Sequence, residues 1–323
     1  MTVSRALRGV NGVSHDTREA ILKVARELNY VPNSNARSLV KSSANIVGIS
    51  FPTLFNDVFA DMFEGMKRTF EKAGFSTLVN TTNYENEGEA EWVSNLLSWR
   101  PAGIVLTGVD HDPSLRRILR SVDIPTLEIW DVTEDPIDMC VGINHVDAGF
   151  ELGRMVIEKG YLRPAFVGLP LGRDLRADRR LKGVEMAFEQ AQDAEKVVHC
   201  IREVSNQFAL GYNAIIGLLR DRDTPDVVFF SNDHMAFGGI CAAEHFGYSV
   251  PQDIGIVGFN ALSLTEVLSR PLTTARTPRR QIGETAARNM IAKIHGLTPQ
   301  RVVTLPVKIE TGDTTRPASP VSL

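Results

Sequence analysis

Four arginines and two aspartates form one short run that follows an apolar segment of the sequence. The apolar segment covers Ala165–Leu169, and the charged run extends from Arg173 to Arg180. Guanidinium groups grip carboxylates and phosphates through two parallel hydrogen bonds, so arginines beyond the end of a strand could hold an anionic ligand. Alternatively, Asp174 and Asp178 could neutralise two of the arginines in a solvated, self-paired charge run. For the run as a whole, the second interpretation is favoured.

Two further polar groups follow apolar segments in the same way. Asn232 and Asp233 come after Val227–Phe230, and Asn260 comes after Ile254–Phe259. In α/β sheets, polar side chains at the carboxyl ends of parallel strands are where ligands bind. Asn and Asp also form turns and cap helices, which Asp233 could do here. Both roles can hold together, with Asn232 facing a ligand and Asp233 tying the loop.

The sequence contains no motif for catalysis, for phosphate binding or for metal binding. Gly-x-Ser-x-Gly, Gly-x-Gly-x-x-Gly, Gly-Lys-Ser/Thr and His-Glu-x-x-His are all absent from the sequence. The seven histidines are scattered without ligand spacing, which favours surface or structural roles. We therefore predict a binding protein with no catalytic residues, no metal and no cofactor.

A short segment near the N-terminus, Asn33–Leu39, has the composition of a brief helix. Asn33 can cap the helix, and Ala36, Arg37 and Leu39 are good helix formers. One or two turns of isolated helix are marginal in water, so a partner must order them. Arg37 and a projecting Leu39 suit a minor-groove wedge that opens a base step. An ordinary linker is the alternative, and the segment alone does not decide between the two.

The elements that must position the strand-end groups alternate along the chain from Ile46 onward. Short apolar segments separated by amphipathic helices are typical of parallel sheets in α/β layers. This many strands favours two sheets, whose carboxyl ends would meet in a shared ligand cleft. The predicted strands are Ile46–Phe51, Ser76–Asn80, Gly103–Thr107, Thr126–Ile129, Cys140–Ile143, Ala165–Leu169, Val227–Phe230 and Ile254–Phe259. The predicted helices include Phe59–Ala73, Glu87–Trp99, Ala148–Lys159, Arg180–Ala191, Ala209–Arg220 and His234–Phe246.

Two short helices precede this body. Thr2–Leu7 is followed by Gly9 and Gly12, and Ser14 can cap a second helix with one apolar face. A glycine-containing connection between two short helices suits a helix-turn-helix unit. The pair lacks the partner surface needed to bury that face, so we expect it to be part of a domain whose first helix is missing.

Composition and charge agree with a soluble protein that contacts nucleic acid at one end. The 323 residues are 43% hydrophobic and suffice for about two domains. No apolar run approaches the roughly 18 residues of a membrane span, and no signal peptide is evident. Three isolated cysteines predict a reduced, cytoplasmic protein. Residues 1–45 carry seven Lys/Arg against three acids, a charge of +4, in a chain whose total is −4, which leaves −8 for the body.

The N-terminal motifs resemble the LacI family of transcriptional repressors. They are Thr-Val-Ser-Arg-Ala-Leu from Thr2, Val-Ser followed by Thr-Arg, the helix end Leu28 to Asn33, and Ala-Arg-Ser-Leu from Ala36. The resemblance implies a recognition helix carrying Thr2, Val3, Ser4 and Arg5, and a hinge helix carrying Ala36, Arg37 and Leu39. In the family, another helix precedes this point, and we expect poor operator binding by a chain that starts at Met1.

The resemblance extends to about Thr315 and supplies the domain organisation. It implies a partial all-α headpiece over residues 1–45 and a two-lobed domain, like periplasmic binding proteins, over residues 46–323. The first lobe would hold residues 46–143 and 281–295, and the second lobe residues 144–272 and 302–315. Each lobe would be a doubly wound parallel sheet.

The resemblance also implies the effector site. Arg-Leu-x-Gly at Arg180 matches the family position whose arginine holds the effector. Where many family members carry an acid after Gly-aromatic, this chain has the neutral Asn260. The remaining candidates are Asp233, Asp131, Asn56 and Arg176. The segments Leu97–Pro101, Gly103, Gly108–His111, Ser231–Asp233 and Gly258–Asn260 are most similar to gluconate-utilisation repressors.

We therefore expect a homodimeric repressor in the cytoplasm whose binding to operator DNA is controlled by a small sugar acid such as gluconate. Two alternatives share parts of this pattern. A sugar-binding protein that feeds a transporter has the same two-lobed fold, but it would carry a secretion signal and has no use for the N-terminal head. An enzyme of sugar-acid metabolism would show turnover of its ligand.

Overall fold

The computed structural model describes residues 2–7, 11–28, 30, 45–54, 57–84, 88–201, 206–220 and 224–317. Contacts between backbone atoms divide the chain into two compact units, Met1–Ala44 and Asn45–Leu323. Ala36, Arg37, Leu39 and Asn56, which were named from the sequence, lie outside the described residues.

The N-terminal unit contains two helices, α1 (Thr2–Leu7) and α2 (His15–Glu27). Ser14 caps α2 as predicted, because its hydroxyl accepts a hydrogen bond from the Thr17 amide. The apolar face of α2 remains largely open to solvent, with Val24 51% and Leu28 72% exposed.

The second unit is an α/β structure with two parallel sheets. Nearly continuous apolar segments form its central strands, because parallel strands are covered by helices on both faces. The strands are β1 (Ile46–Phe51), β2 (Ser76–Thr81), β3 (Gly103–Thr107), β4 (Thr126–Asp131), β5 (Met139–Ile143), β6 (Pro164–Gly168), β7 (Val198–Ile201), β8 (Val227–Phe230), β9 (Gly255–Val257), β10 (Thr274–Arg276), β11 (Val302–Thr304) and β12 (Lys308–Glu310). The helices are α3 (Asp57–Lys72), α4 (Glu89–Ser98), α5 (Pro113–Ser121), α6 (His145–Glu158), α7 (Leu175–Glu189), α8 (Gln207–Leu219), α9 (Asp233–His245) and α10 (Arg279–Ile294).

The first lobe is built on a six-stranded sheet in the order β11-β5-β4-β3-β1-β2. All its described strand pairs are parallel. Helix α10 returns to this lobe and packs on α3 through two glycines. A Cβ at Gly283 would lie 2.1 Å from the Met62 carbonyl oxygen, and one at Gly65 would lie 2.6 Å from that of Arg280. The missing side chains therefore let the two helix backbones approach closely.

The second lobe is built on a four-stranded parallel sheet in the order β7-β6-β8-β9. Helices α6 and α7 pack together on it, as do α8 and α9. A two-stranded antiparallel ribbon of β10 and β12 lies beside this sheet, and Val257 of β9 forms an isolated bridge to Thr273.

One expected strand assignment is wrong. The family resemblance implied that residues 302–315 belong to the second lobe, but β11 pairs in parallel with β5 of the first lobe. The amide of Cys140 donates to the Arg301 carbonyl, and the amide of Leu305 donates to the Gly142 carbonyl, both at 2.8 Å. β5 is otherwise the edge of its sheet, and an unpaired edge offers hydrogen-bonding groups to any nearby extended segment. Only β12 joins the ribbon beside the second lobe.

In the described part of the chain, no helix has both the length and the apolar composition needed to cross a membrane.

Candidate functional site

A small cavity lies between the two lobes at the carboxyl ends of their central strands. This is the position at which doubly wound sheets bind ligands. The first lobe contributes Val58 and Phe59 of α3, Tyr84 and Trp130. The second lobe contributes Leu169, Asp174, Arg176, Ala177, Arg180, Gln207, Ser231, Asn232, Met235 and Asn260.

Arg180 is the most deeply placed charge in this cavity. Its side chain is 7% exposed, and its guanidinium lies 4.5 Å from the centre of the Phe259 ring. Nη2 donates to the Ser231 carbonyl at 3.1 Å, whereas the buried Nε has no hydrogen-bond partner among the described residues. Burial lowers the pKa of Arg180 from its usual value. A buried donor without a partner favours a ligand that accepts a hydrogen bond there.

His145 supports Arg180 from the first residue of α6. Its ring is fully buried, with Nδ1 3.1 Å from Arg180 Nη1 and Nε2 3.1 Å from the Trp130 carbonyl oxygen. Burial, followed by the nearby positive charge of Arg180, holds the pKa of His145 well below its usual value. The imidazole is therefore neutral at pH 7 and can accept a hydrogen bond from the guanidinium.

The charges that line the cavity sum to a positive value. Asp174 Oδ1 lies 3.1 Å from Arg176 Nε, and its other oxygen lies 3.8 Å from Arg180 Nη2. Burial raises the pKa of Asp174, but the charges of Arg176 and Arg180 outweigh it, so the pKa falls below its usual value. One carboxylate thus faces two guanidinium groups, and the lining favours an anion by electrostatics.

Asn232 and Asp233 have different roles, one at the cavity and helix cap and the other in the loop behind the cavity. Asn232 caps α9, because its Oδ1 accepts from the Met235 amide at 3.1 Å, while its side chain also lines the cavity. Asp233 ties the loop behind the cavity, accepting from the Leu262 amide and the Thr274 hydroxyl at 2.7 Å each. Burial raises the pKa of Asp233 to about 7. The cap is Asn232 and not Asp233.

Asn260 lines the same cavity and has an unusual backbone conformation. Its φ of 107° is in the left-handed half of the map, which Asn tolerates better than most residues. Its carbonyl accepts a hydrogen bond from Arg279 of α10, and Arg279 Nε donates to Asp61 of α3 at 2.9 Å. These contacts fix a neutral amide at a position in the cavity wall.

Asp131 does not face the cavity as a free carboxylate. It accepts a hydrogen bond from Arg179, whose Nη2 also lies 2.8 Å from Asp110. Burial raises the pKa of Asp131, and the charge of Arg179 opposes that rise. Because Arg179 belongs to the second lobe and both acids to the first, this pairing links the two lobes.

The charge run after β6 is therefore only partly self-paired. Asp174 pairs with Arg176, as the self-paired interpretation of the run predicted. Asp178 instead accepts a hydrogen bond from the Gly172 amide at 2.7 Å. Arg179 uses acids of the other lobe. The effector candidates Arg176, Arg180, Asn232 and Asn260 all line one cavity, but Asp233 and Asp131 lie behind it or beside it.

A second cavity adjoins the first and shares Tyr84 and Arg176 with it. His111 and Glu89 in its wall form a buried cluster with Glu128 that was not predicted from the sequence. His111 Nδ1 lies 2.9 Å from Glu89 Oε2, and His111 Nε2 lies 3.6 Å from Glu128 Oε1. Burial raises the pKa of Glu128 to about 7. Burial lowers the pKa of His111, but its hydrogen bond to Glu89 and the two acidic charges outweigh this and raise it. No spacing within one segment of the sequence indicates this cluster, because its members come from separate elements.

In the N-terminal unit, Thr2, Val3 and Arg5 are exposed on α1, and Ser4 belongs to the same helix. Across the described residues, no three His, Cys, Asp or Glu side chains are grouped so that they could hold a metal ion.

Two family profiles match the chain. The profile described as periplasmic binding proteins and sugar binding domain of the LacI family covers residues 45–312. The profile described as bacterial regulatory proteins, lacI family, covers residues 1–33.

Individual relatives match over most of their length. The HTH-type transcriptional regulator GntR of Pseudomonas aeruginosa is 31% identical over 296 residues, covering 92% of this chain and 86% of the relative. GntR of Escherichia coli K12 is 30% identical over 304 residues, which cover 93% of this chain and 90% of the relative. A LacI-family transcriptional regulator from Silicibacter pomeroyi superposes with a TM-score of 0.91 at 33% identity, covering 98% of this chain and 96% of that chain.

Proposed function

This chain belongs to the LacI family of bacterial transcriptional regulators, and we propose that its effector is a small sugar acid of the gluconate type. Relatives that match across more than nine tenths of the chain are named as transcriptional regulators. The chain is accordingly a DNA-binding repressor and neither a sugar-acid enzyme nor the binding protein of a transporter.

The observation that carries the sugar-acid proposal is the buried Nε of Arg180, which has no hydrogen-bond partner among the described residues. The cavity lining also holds one carboxylate against two guanidinium groups. A ligand carboxylate would pair with Arg180 and supply the missing acceptor. A neutral sugar would leave the net positive charge of the lining uncompensated.

The two amides suit the hydroxyls of such a ligand. Oδ1 of Asn232 is occupied by the Met235 amide, so its Nδ2 is the group that can donate to a hydroxyl oxygen. Asn260 can both donate and accept, and it adds no negative charge near the ligand carboxylate. Phe59 and Trp130 provide apolar surfaces for the carbon chain of the ligand.

The remaining assignments follow the family. We propose a cytoplasmic homodimer on a nearly palindromic operator, with Thr2, Val3, Ser4 and Arg5 reading the major groove. Ala36, Arg37 and Leu39 would form the minor-groove wedge. Effector binding changes operator affinity only as far as the effector prefers one arrangement of the lobes.

Calorimetric titration of the whole chain with gluconate, its keto and phosphorylated relatives, and neutral hexoses tests the proposal. We expect an acid to bind, and Arg180→Ala to weaken that binding at least a hundredfold, since a buried charge loses its partner. Arg154→Ala is the matched control, because Arg154 is exposed and pairs with Glu151 and Glu158 of its own helix. Tight binding of a neutral sugar, with no acid binding, would contradict the proposal.

A further inference from the structure

His145 connects the two lobes through its two ring nitrogens. It is the first residue after the chain has passed from β5 in the first lobe to α6 in the second, following the cap residue Asn144. Nε2 faces the Trp130 carbonyl of the first lobe, and Nδ1 faces Arg180 of the second. Because a carbonyl oxygen only accepts, Nε2 must carry the hydrogen, and Nδ1 is left to accept from the guanidinium.

Aromatic neighbours hold the imidazole in this orientation. The Trp130 ring meets it edge-on at 5.3 Å between centres, and the Phe259 ring lies at 6.1 Å. Phe259 also supports the guanidinium of Arg180. Trp130 belongs to the first lobe and Phe259 to the second, so the position of the ring depends on how the lobes are arranged.

The contact to His145 also determines which donors of Arg180 remain for a ligand. Of its five N–H groups, one points to His145 and one to the Ser231 carbonyl. Nε and one hydrogen on each terminal nitrogen remain. Rotation of the guanidinium away from His145 would change the edge that it presents to the cavity.

The charged groups nearest to His145 are three arginines of α7 and the acids that pair with them. Burial is the largest cause that lowers the pKa of His145, and the positive charges of Arg180, Arg176 and Arg179 lower it further. Asp174 forms an ion pair with Arg176, and Asp131 forms one with Arg179. The chain after β8 and β9 presents the Ser231 carbonyl and Phe259, which carry no charge. A proton on Nδ1 would remove the acceptor and place two cations 3.1 Å apart.

We propose that His145 is a positioning residue that orients Arg180 toward the ligand carboxylate and ties that orientation to the first lobe. The inference rests on the proposed function, in which Arg180 holds the carboxylate. It gives the effector site a direct connection to the arrangement of the lobes, through one hydrogen bond on each side of a single ring.

The test uses the whole chain with Trp92→Phe and Trp99→Phe, which leaves Trp130 as the single tryptophan of three. His145→Asn keeps an acceptor near the place of Nδ1 and removes the donor to Trp130. His145→Phe keeps the ring and removes both nitrogens. His199→Asn is the control, since His199 is partly exposed and pairs with Glu185. At pH 7.5 we expect gluconate affinity to fall at least tenfold in His145→Phe and less than threefold in His145→Asn and His199→Asn.

Acidification separates a positioning role from a merely structural one. Affinity of the parent chain should decline steeply as His145 gains a proton, whereas His145→Asn should lack that part of the profile. In the ligand-free chain, Trp130 emission should be quenched by the same protonation, at a pH that moves upward in Arg180→Met. His145→Asn should show no such quenching.

The outcomes distinguish this inference from the proposed function. If no sugar acid binds the parent chain, the proposed function fails, and the fluorescence titration still measures the contact between His145 and Arg180. If gluconate binds but His145→Phe binds it equally well, the positioning role is wrong. It is also wrong if His145→Asn has the parent's pH profile, or if Arg180→Met leaves the quenching pH unchanged. Should His145→Phe fail to fold, the last two comparisons decide.

Discussion

At the scale of single residues, the site depends on which groups are charged. Arg180 is buried beside one shared acid, and Asn232 and Asn260 add polarity without charge. The carboxylates nearest to the cavity are either paired, as Asp131 is with Arg179, or turned into the protein, as Asp233 is. The cavity can therefore attract an anion in spite of the acidic composition of the body.

Asn260→Asp tests this charge balance. Asp tolerates positive φ almost as well as Asn, so the backbone at 260 should be kept. We expect the new carboxylate to lower the affinity for gluconate at least tenfold, because two like charges would share a poorly solvated site. Asn206→Asp is the control, since Asn206 caps α8 and Asp is an equally good cap. Calorimetry at pH 7.5 gives both affinities, and equal gluconate affinity in Asn260→Asp and the parent would contradict the assignment.

Asp233→Asn tests the buried acid behind the site. The pKa of Asp233 is about 7 in the folded chain against an ordinary 3.8, so the folded state keeps a proton that the unfolded state has lost between these values. Its contribution to stability is fully present below pH 3.8 and is lost as pH rises through about 7. The amide does not titrate. The parent should therefore lose stability relative to Asp233→Asn on going from pH 5 to pH 7, by at most about 1.4 kcal/mol per pH unit.

Urea unfolding of both chains at pH 5, 6, 7 and 8 measures this difference. Glu128, whose pKa is also raised to about 7, is present in both chains and cancels in the comparison. A difference that stays constant across this range would mean that Asp233 ionises at its ordinary pKa.

At the scale of elements, the buried central strands were predictable from the sequence, and the position of a short edge strand was not. The predicted limits of Ile46–Phe51, Gly103–Thr107 and Val227–Phe230 are those of β1, β3 and β8. These strands are buried on both faces, so their sequences carry the pattern by themselves. β11 has three residues and lies at an edge, and its partner is decided by an open strand far away in sequence.

The same reasoning separates the parts of the site. Arg176, Arg180, Asn232 and Asn260 follow strand ends and line one cavity. The strand-end pattern indicated Asn232 and Asn260, whereas Arg180 was named from the family resemblance. The pairing of Arg179 with Asp110 and Asp131, and the contact of His145 with Arg180, join residues from both lobes. No pattern in one segment could indicate these contacts.

Gly283→Ala tests how the first lobe holds the cavity wall. Alanine favours a helix over glycine by about 1 kcal/mol, but the new Cβ would lie 2.1 Å from the Met62 carbonyl oxygen. Overpacking should win and lower the free energy of unfolding by about 1–3 kcal/mol. Because α10 carries Arg279, which holds the Asn260 carbonyl, effector affinity should fall as well. Urea unfolding and calorimetry measure the two effects.

Gly88→Ala is the control for that experiment. Gly88 precedes α4 with φ of −88°, and a Cβ there would have no neighbour within 4 Å. Its replacement should leave stability and affinity close to those of the parent chain. Equal stability of Gly283→Ala and Gly88→Ala would show that α3 and α10 can separate without loss.

At the scale of the whole molecule, a repressor must read two operator half-sites, and a homodimer does so with two copies of one recognition helix. In the described residues, the most exposed large apolar side chain is Val267, at 83%. It ends the short 3₁₀ turn Ser263–Val267, in the chain that follows β9 of the second lobe. An apolar group in this position is suited to burial against a second copy of the chain.

Val267→Glu should therefore weaken the homodimer, because each subunit would bring a charge into an apolar contact. Light scattering after size exclusion should give the parent twice its chain mass of 35.6 kDa and should shift Val267→Glu toward the single-chain value on dilution. Leu297→Glu is the matched control: Leu297 is 64% exposed beyond the end of α10 in the first lobe, and its replacement should leave the dimer intact. Gluconate binding should persist in Val267→Glu, since Val267 does not line the cavity. A parent that remains a single chain at micromolar concentration, or two variants that dissociate equally, would remove Val267 from the dimer interface.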